Sequence, residues 1–218
     1  MNKYLKFDEL TINDFSDKNI NSLYNEGFVF TRIKKGYMNQ TRSVRLNLSQ
    51  FELSSENRRV LHKIENFILE VKDLPLSNYH WSIGKLAKDF YKIKFGEGVF
   101  SANKVKEILT TEQNFNKLFV YKIEDKEIGY CIVQETNEII HYSYPFYNLK
   151  NDTSNIGMDM MLNAIIYAQK NNKKYIYLGS FQRQTDTYKL QFKGLEWFDG
   201  EKWSEDLISL KNVLTKIS

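Results

Sequence analysis

The feature that most constrains the fold is a change of hydrophobic periodicity in the second half of the chain. Three strand-like runs, at 118–123, 128–134 and 139–144, are joined by short polar turns and predict an antiparallel meander. A helical pattern at 156–170 then separates the last run from a buried strand at 175–178. Two strands joined through a crossing helix pair in parallel. The sequence therefore predicts an α+β fold with a mixed sheet.

The segments before the meander begin with a short predicted helix at 14–25. Strands are predicted at Phe28–Ile33 and Ser43–Leu48, where β-branched and aromatic residues are frequent. Ser54 is then predicted to be the N-cap of a helix. The apolar residues that recur at helical spacing behind this cap are Val60, Leu61, Ile64, Phe67 and Ile68.

Two more helices are predicted before the meander, at 77–95 and 103–109. The first of them ends at Gly96 and Gly98 and carries one apolar stripe, formed by Ile83, Leu86, Phe90 and Ile93. After the last buried strand, a helical stretch extends to Phe192 and an Asp-Gly turn closes an aromatic hairpin at 196–203. This α/β/α order is that of the GNAT acyltransferase fold, in which two parallel central strands splay apart around the acyl donor. With two prolines and no low-complexity linker, we expect one domain over residues 1–218.

Positive charge is concentrated near the start of the chain. Residues 32–59 contain seven basic and two acidic residues, a net charge of +5, whereas the whole chain carries +4. Five of these basic residues are Arg32, Arg42, Arg45, Arg58 and Arg59, although lysine greatly outnumbers arginine elsewhere. Arginine offers a planar fork of donors that matches a carboxylate or a phosphate. The cluster indicates an anionic partner, an RNA backbone or an acidic substrate; the alternative is a solvated basic face.

The single Cys131 excludes a disulfide framework and a cysteine-based zinc site, so we expect no metal. The start of the chain has no signal-peptide pattern, and no segment approaches the roughly twenty apolar residues of a membrane span. These features predict a cytoplasmic protein with no membrane association.

The segment before the crossover helix tests whether coenzyme A is the donor. A pyrophosphate needs bare backbone N–H groups at a helix N-terminus. Here residues 151–159 contain one glycine, Gly157, while Asp152 and Asp159 bring negative charge. This composition argues against coenzyme A, and Gly157 has simple packing as its alternative role.

Three segments together resemble a known family. They are Val44–Arg59, then Tyr144–Asn148 with 155–157, and finally Tyr175–Gly179 with Lys189–Gly194. They are similar in sequence and spacing to motifs of the aminoacyl-tRNA–protein transferases, arginyl in eukaryotes and leucyl in some bacteria, which combine the GNAT fold with an aminoacyl-tRNA donor. The chain lacks that family's cysteine cluster, which would fall near 36–43, and has Asn148 where the family has Asp.

The resemblance implies an enzyme that adds arginine or leucine to the N-terminal amine of a protein or peptide, one that starts with Asp or Glu. The partners are then aminoacyl-tRNA as co-substrate and the protein N-terminus, with no further cofactor, and we expect a monomer. An aminoacyl ester is already activated, so holding amine and ester in line can lower the barrier by roughly 7–11 kcal/mol without a covalent nucleophile. Donors to the developing oxyanion would add to this effect.

The resemblance also assigns candidate residues. The catalytic candidates are Tyr147 and Asn148, which are expected to position the attacking amine. The substrate-binding candidates are Arg45, Gln50, Arg58, Arg59, Tyr144, Gly157, Gly179, Lys189, Gln191 and Lys193. For any single arginine the alternative is a salt bridge at the edge of the core, and for Lys189 it is an ordinary amphipathic helix.

Three other functions stay open at this stage. One is an N-acyltransferase that uses acyl-coenzyme A, and another is a non-catalytic relative that binds tRNA or a peptide. A third is an aminoacyl transferase that acts on a cell-wall precursor. Trp197 and Trp203 can stack on an unpaired nucleotide, with cross-strand packing as the alternative.

Overall fold

The computed structural model describes residues 4–63, 67–150 and 155–215 of the chain. A 3₁₀ helix at Gln184–Gln191 lies between the strands at Tyr175–Ser180 and Leu195–Phe198. In chain order, the other elements are β1 (Asp8–Thr11), α1 (Asp17–Asn25), β2 (Phe28–Phe30), β3 (Tyr37–Gln40), β4 (Ser43–Asn47), α2 (Ser55–Leu61), β5 (Phe67–Asp73), α3 (Trp81–Phe95), α4 (Ala102–Thr110), β6 (Lys117–Ile123), β7 (Lys126–Glu135), β8 (Ile139–Tyr147), α5 (Ile156–Lys170), β9 (Tyr175–Ser180), β10 (Leu195–Phe198), β11 (Trp203–Ser204) and α6 (Leu207–Thr215).

The contacts between residues divide the chain into two compact units. The first unit consists of Met1–Ser54, Thr136–His141 and Ala168–Ser218, and the second consists of Ser55–Glu135 and Tyr142–Tyr167. The expectation of one domain over residues 1–218 stays a prediction.

The first unit contains the parallel strand pair that the crossover predicts. Its strands follow the order β11-β10-β4-β9, and β9 then pairs with the start of β8. The β8–β9 register is parallel, from Ile139 opposite Tyr175 to His141 opposite Tyr177, whereas β4 runs antiparallel to both β9 and β10. A separate antiparallel sheet, in the order β1-β3-β2, completes the unit.

The second unit contains the antiparallel meander, in which β5, β6 and β7 pair in sequence and β7 neighbours β8. Glu124 and Asp125 form the tight turn between β6 and β7, and both have positive φ (49° and 62°). Such turns match the twist of the strands they connect. The helices α3 and α4 and the buried start of α5 complete this unit. Among the described residues no helix is long and apolar enough to span a membrane.

The predicted helix after Ser54 is wrong beyond Leu61. The helix α2 ends there, and Phe67 and Ile68 begin the strand β5 instead. In β5 the apolar side chains of Phe67, Leu69 and Val71 alternate with Ile68 and polar residues, a period of two that fits a strand. Seven residue pairs with β6 satisfy the strand's backbone groups on that side, so sheet pairing overrides the helical spacing. Ile64 lies outside the described residues.

The remaining corrections concern the bounds, faces and types of elements. The helix α3 begins at Trp81 with His80 as N-cap, not at residue 77. Ile93 is 70% exposed, because the buried face of α3 passes through Ala87, Phe90 and Tyr91 instead. The first two predicted strands end early, at Phe30 and Asn47, and the stretch before Phe192 is 3₁₀ rather than α-helical. The strands β1 and β3 and the helix α6 were not predicted.

These strands and helices confirm the predicted fold class. An antiparallel meander leads into a β8–α5–β9 crossover with parallel pairing, in a mixed α+β protein with the element order of GNAT acyltransferases.

Candidate functional site

Arg45 lies on β4 and its guanidinium is held in a buried ion pair. Its Nε donates a hydrogen bond to Glu196 Oε2 at 2.6 Å, and Nη1 donates to the Tyr177 hydroxyl at 3.4 Å. The guanidinium also lies 3.9 Å from the ring centroid of Tyr175 and 4.0 Å from that of Trp203. Because Nε and Nη1 have partners and the guanidinium lies against two aromatic rings, the geometry favours the salt-bridge alternative over an open anion-binding role.

The structure brings the first and third family-like segments together in the first unit. The rings of Phe51 and Phe192 pack edge to face, with centroids 6.2 Å apart. Lys193 Nζ forms an exposed ion pair with Glu52 Oε2 at 3.0 Å. Two segments that are far apart in sequence are therefore in contact.

Gln50 and Gln191 are exposed in the same unit. Gly194 has a φ of 81°, and a Cβ at that position would come within 2.9 Å of Gln50 Cβ, so only glycine fits the turn. Gln191 Nε2 donates to the carbonyl oxygen of Tyr188 at 2.7 Å. Both amide side chains are accessible from solvent, as a substrate-binding role requires.

The helix α2 of the second unit carries the two arginines of the first family-like segment. Arg58 and Arg59 are exposed, and the Arg59 fork donates to both carboxylate oxygens of Glu56, at 2.7 and 2.6 Å. An exposed pair of this kind contributes only about 0–1 kcal/mol. An incoming anion can therefore replace Glu56 at little cost in stability.

The end of β8 in the second unit carries Tyr144, Tyr147 and Asn148. The Tyr144 ring is half-buried and packs edge-on against Phe100, at a centroid distance of 5.5 Å. The Tyr147 ring lies 4.8 Å from that of Phe90, and burial raises the pKa of Tyr147. Its phenol therefore stays protonated at neutral pH, where it can donate a hydrogen bond but cannot act as a base.

Asn148 ends the strand and begins a turn. Its backbone N–H donates to the carbonyl oxygen of Ile128 at 3.0 Å, and its Oδ1 accepts from the backbone N–H of Lys150 at 3.0 Å. This side-chain bond is the usual one for Asn in a turn. The side chain thus has a structural role, and its catalytic role stays a prediction.

The first turn of α5 places Gly157 against Tyr147 in the second unit. A Cβ at Gly157 would lie 3.1 Å from the Tyr147 hydroxyl, so the glycine permits close packing. The preceding loop residues Asn151, Asp152 and Ser154, to which we assigned the place of a phosphate loop, lie outside the described residues.

Asp159, two residues after Gly157, is a functional candidate that the residue assignments missed. It is 2% exposed, and no side-chain hydrogen bond of its carboxylate is found in the described part of the chain. Burial raises its pKa from 3.8 to about 7, although the charge of Lys63 opposes this rise. A carboxylate with such a pKa can exchange protons near neutral pH. The sequence did contain a signal for Asp159, because it is an acidic residue in a helix turn that is otherwise apolar.

Lys189 of the 3₁₀ helix is 5% exposed, although lysine is almost never buried without a paired charge. Its Nζ donates to the carbonyl oxygen of Ser180 at 3.2 Å, and burial lowers its pKa to about 8. Gly179 has a φ of 86°, and a Cβ there would lie 3.6 Å from Lys189 Nζ. The two substrate-binding candidates Gly179 and Lys189 therefore lie side by side in the first unit, and the amphipathic-helix alternative for Lys189 does not fit its burial.

Other aromatic and imidazole side chains have structural partners. The indole N–H groups of Trp197 and Trp203 donate to backbone carbonyl oxygens, at 3.1 and 2.8 Å, and Trp197 is buried. His141 lies buried beside Tyr24, whose hydroxyl is 2.8 Å from its Nδ1. These contacts favour packing over nucleotide stacking or catalysis.

Comparisons with known proteins give the chain a family. A family model described as "Arginine-tRNA-protein transferase, C terminus" matches residues 80–199, more than half of the chain. An aspartate/glutamate leucyltransferase of Chromohalobacter salexigens is 22% identical over 172 residues, which cover 76% of this chain and 68% of that protein. A Campylobacter jejuni protein of the same name is 27% identical over 172 residues, which cover 73% and 69% of the two chains.

Among solved structures, a GNAT family acetyltransferase of Elizabethkingia anophelis, with acetyl-CoA bound, superposes with a TM-score of 0.38 at 14% identity. The match covers 58% of this chain and 72% of that one.

The family match includes the crossover, the end of β8 with Tyr147, the start of α5 with Asp159, and the buried Lys189. The predicted resemblance is therefore confirmed: the chain belongs to the arginine-tRNA-protein transferase C-terminus family and is an aminoacyl-tRNA–protein transferase.

Proposed function

We propose that this enzyme transfers leucine from leucyl-tRNA to the α-amino group of proteins that begin with Asp or Glu. The observation that carries the proposal is the shared name of the two relatives, aspartate/glutamate leucyltransferase, each similar over about three quarters of this chain. The family description names arginine instead, so arginine is the competing donor.

In the proposed reaction, the acceptor's α-amine attacks the carbonyl carbon of the aminoacyl ester. A C–N amide bond forms, the ester C–O bond breaks, and the tRNA ribose hydroxyl leaves with a proton. The nitrogen gives up one proton as the amide forms, so the reaction needs a proton acceptor but no covalent nucleophile.

Asp159 is the side chain that we assign as this proton acceptor. Its burial and its pKa of about 7 give an appreciable fraction of carboxylate at neutral pH, with enough basicity to take a proton from an ammonium group. Tyr147 keeps its phenol proton and is suited to donate to the developing oxyanion.

The negative charge of Asp159 at the start of α5 also supports aminoacyl-tRNA over acyl-coenzyme A. A pyrophosphate at this helix N-terminus would lie close to a buried carboxylate instead of a basic residue.

The decisive assay incubates the enzyme with tRNA carrying labelled leucine or labelled arginine. Acceptor peptides begin with Asp, Glu, Asn or Lys and are otherwise identical. We expect leucine on the Asp and Glu peptides alone, detected by intact mass. Arginine transfer would replace leucine in the proposal. Acetylation by acetyl-coenzyme A without tRNA, or salt-dependent tRNA binding with no transfer, would refute it.

A matched pair of variants tests the proton acceptor. Asp159→Asn should lower kcat/KM by about 10²–10⁴ and remove the rise of activity through about pH 7. Asp125→Asn makes the same chemical change in the exposed β6–β7 turn, where Asn also tolerates positive φ, and should leave both unchanged. Equal pH profiles for the wild type and Asp159→Asn would exclude Asp159 as the base.

A further inference from the structure

The exposed face of helix α3, in the second unit, carries aromatic and basic side chains that the proposed reaction does not use. They recur every three or four residues and therefore lie in one line along the helix: Trp81, Lys85, Lys88, Lys92 and Phe95. At a rise of about 1.5 Å per residue, this line is about 21 Å long. We call these five residues the α3 stripe.

The two rings of the α3 stripe are open to solvent. Trp81 is 65% exposed and Phe95 is 43% exposed, whereas Phe90 and Tyr91 of the same helix are each 7% exposed. The helix thus buries one aromatic face in its own unit and leaves two further rings outside. Because tryptophan is highly buried on average, an indole exposed to this extent indicates a surface that a partner covers.

The lysines between these rings are available to an anion. The ammonium of Lys85 pairs with Asp89 at 2.7 Å, Lys92 pairs with Glu97, and the two lysine side chains are 62% and 56% exposed. Lys88 forms no ion pair within the described residues. Exposed ion pairs contribute little to stability, so a phosphate can replace either carboxylate.

The buried face of α3 connects the stripe to the proposed reaction site. The ring of Phe90 lies 4.8 Å from that of Tyr147, which is suited to donate to the developing oxyanion. Phe95, the last residue of the stripe, has its ring centroid 6.5 Å from that of Phe90. One ring therefore links Phe95 to Tyr147, whereas Trp81 lies about 13 Å from Phe90 along the helix axis.

This arrangement matches a single strand of nucleic acid. Proteins bind such strands with cations that follow the phosphates and with aromatic rings that stack on bases. At about 3.4 Å per stacked nucleotide, the stripe has room for about six nucleotides, enough for the unpaired 3′ end on which tRNA carries its amino acid.

A lipid surface fits the stripe less well. A helix that lies in a membrane interface needs a continuous apolar face. The apolar face of α3 is buried and includes Ile83, Ala87 and Phe90. On the exposed face, lysines separate the two rings of the stripe, so charge complementarity with RNA is the stronger match.

On this basis we propose that the α3 stripe binds the unpaired 3′ end of aminoacyl-tRNA. The lysines hold its phosphates, Trp81 stacks on one base, and Phe95 stacks on the terminal base, at the end of the stripe that is linked to Tyr147. The inference rests on the proposed function for the identity of the RNA, and it requires no particular amino acid on that RNA.

The first test measures the salt dependence of RNA binding for a triple variant, Lys85→Gln with Lys88→Gln and Lys92→Gln. The probe is fluorescent, deacylated leucine-accepting tRNA, titrated between about 50 and 200 mM salt without acceptor peptide. Each phosphate held on a single strand contributes about 0.7 to the slope of log K against log salt concentration, so the slope should become less negative by about 2.

A control triple variant has the same net charge. It combines Lys18→Gln, Lys126→Gln and Lys211→Gln, which replace exposed lysines outside α3, and it should keep the wild-type slope. An equal change of slope in both triple variants would make the effect one of net charge and overturn the inference.

The second test concerns the two rings and the part of the RNA that they contact. Trp81→Ala and Phe95→Ala should each weaken tRNA binding by about 5-fold or more at an unchanged salt slope, and Trp81→Phe should keep most of the affinity. For tRNA from which the unpaired 3′ nucleotides have been removed, both alanine variants should bind as the wild type does. This comparison also controls for folding, because a misfolded variant would lose affinity for both RNAs.

The outcomes separate this inference from the proposed function. If the wild type binds tRNA through the stripe but transfers arginine, or transfers nothing, the proposed function fails and the inference stands. An unchanged salt slope in the Lys85, Lys88 and Lys92 variant would overturn the inference. Equal weakening of intact and truncated tRNA by Trp81→Ala and Phe95→Ala would also overturn it. So would stripe-dependent sedimentation with phosphatidylglycerol vesicles at unchanged tRNA affinity, which would make the stripe a lipid-binding surface.

Discussion

Replacing Lys189 by methionine should make the protein more stable. Met has a similar length and no charge, so it can occupy the same apolar surroundings without the cost of burying an ammonium group. A stabilising change is expected where a buried charge forms no salt bridge.

The magnitude follows from the pKa of Lys189. Burial lowers it from 10.5 to about 8, a difference of about 2.5. At about 1.4 kcal/mol for each pKa unit, the buried charge costs about 3 kcal/mol. The variant loses the hydrogen bond to the Ser180 carbonyl oxygen, which contributes about 1 kcal/mol. The net gain in unfolding free energy at pH 7 should therefore be about 2 kcal/mol.

The gain must also depend on pH. Between pH 8 and 10.5 the unfolded wild type still holds the lysine proton that the folded protein has released, so wild-type stability rises with pH in this window. Urea denaturation at pH 7 and pH 10, in buffer free of phosphate and carboxylates, should show the advantage of Lys189→Met shrinking as pH rises. Lys18→Met, on an exposed lysine, should differ little from the wild type at either pH. A less stable Lys189→Met protein at pH 7, or a difference independent of pH, would refute the reasoning.

Two further predictions concern buried polar groups of the first unit. Burial lowers the pKa of His141 from 6.5 to about 3, so stability should be lost as pH falls through this window, by about 5 kcal/mol in the limit. Urea denaturation between pH 7 and pH 4 should give a shallower pH dependence for His141→Gln, and equal slopes would contradict the prediction. Arg45→Met leaves Glu196 buried without its partner and should cost about 3–5 kcal/mol, measured by urea denaturation, whereas Arg45→Met combined with Glu196→Leu should recover most of it. If Arg45→Met instead abolishes transfer and leaves the stability unchanged, Arg45 binds an anionic substrate group.

Local sequence patterns predicted much of the second half of the fold. The three meander strands, the crossover helix and the last buried strand were correctly placed because their periodicity and turn residues agree with their tertiary environment. The prediction failed at Phe67 and Ile68, where helical and strand spacing are both present in the sequence. Pairing with β6 decides between them, and that pairing is a contact with residues about fifty positions away.

The sequence predicted which residues belong to the candidate site better than it predicted the role of each residue. Lys189 and Gly179 were named from motif similarity, and the structure shows that they meet beside Ser180. Arg45 was named by the same reasoning, but its salt bridge to Glu196 joins residues 151 positions apart, which no local pattern encodes. In the sequence, Asp159 served only as an argument against coenzyme A, and the burial that raises its pKa to about 7 made it a candidate base as well.

The sequence by itself determined the family, the order of strands and helices, and the concentration of arginine near the start of the chain. Those properties depend on residues close together or on motifs read in order. The tertiary structure alone decided which cations are paired and which are not. Burial and the distance to a carboxylate fix that outcome, and both are set by long-range packing. Arg45 has Glu196 as its ion-pair partner, whereas Arg42 and Lys189 each donate to a backbone carbonyl oxygen and form no salt bridge within the described residues.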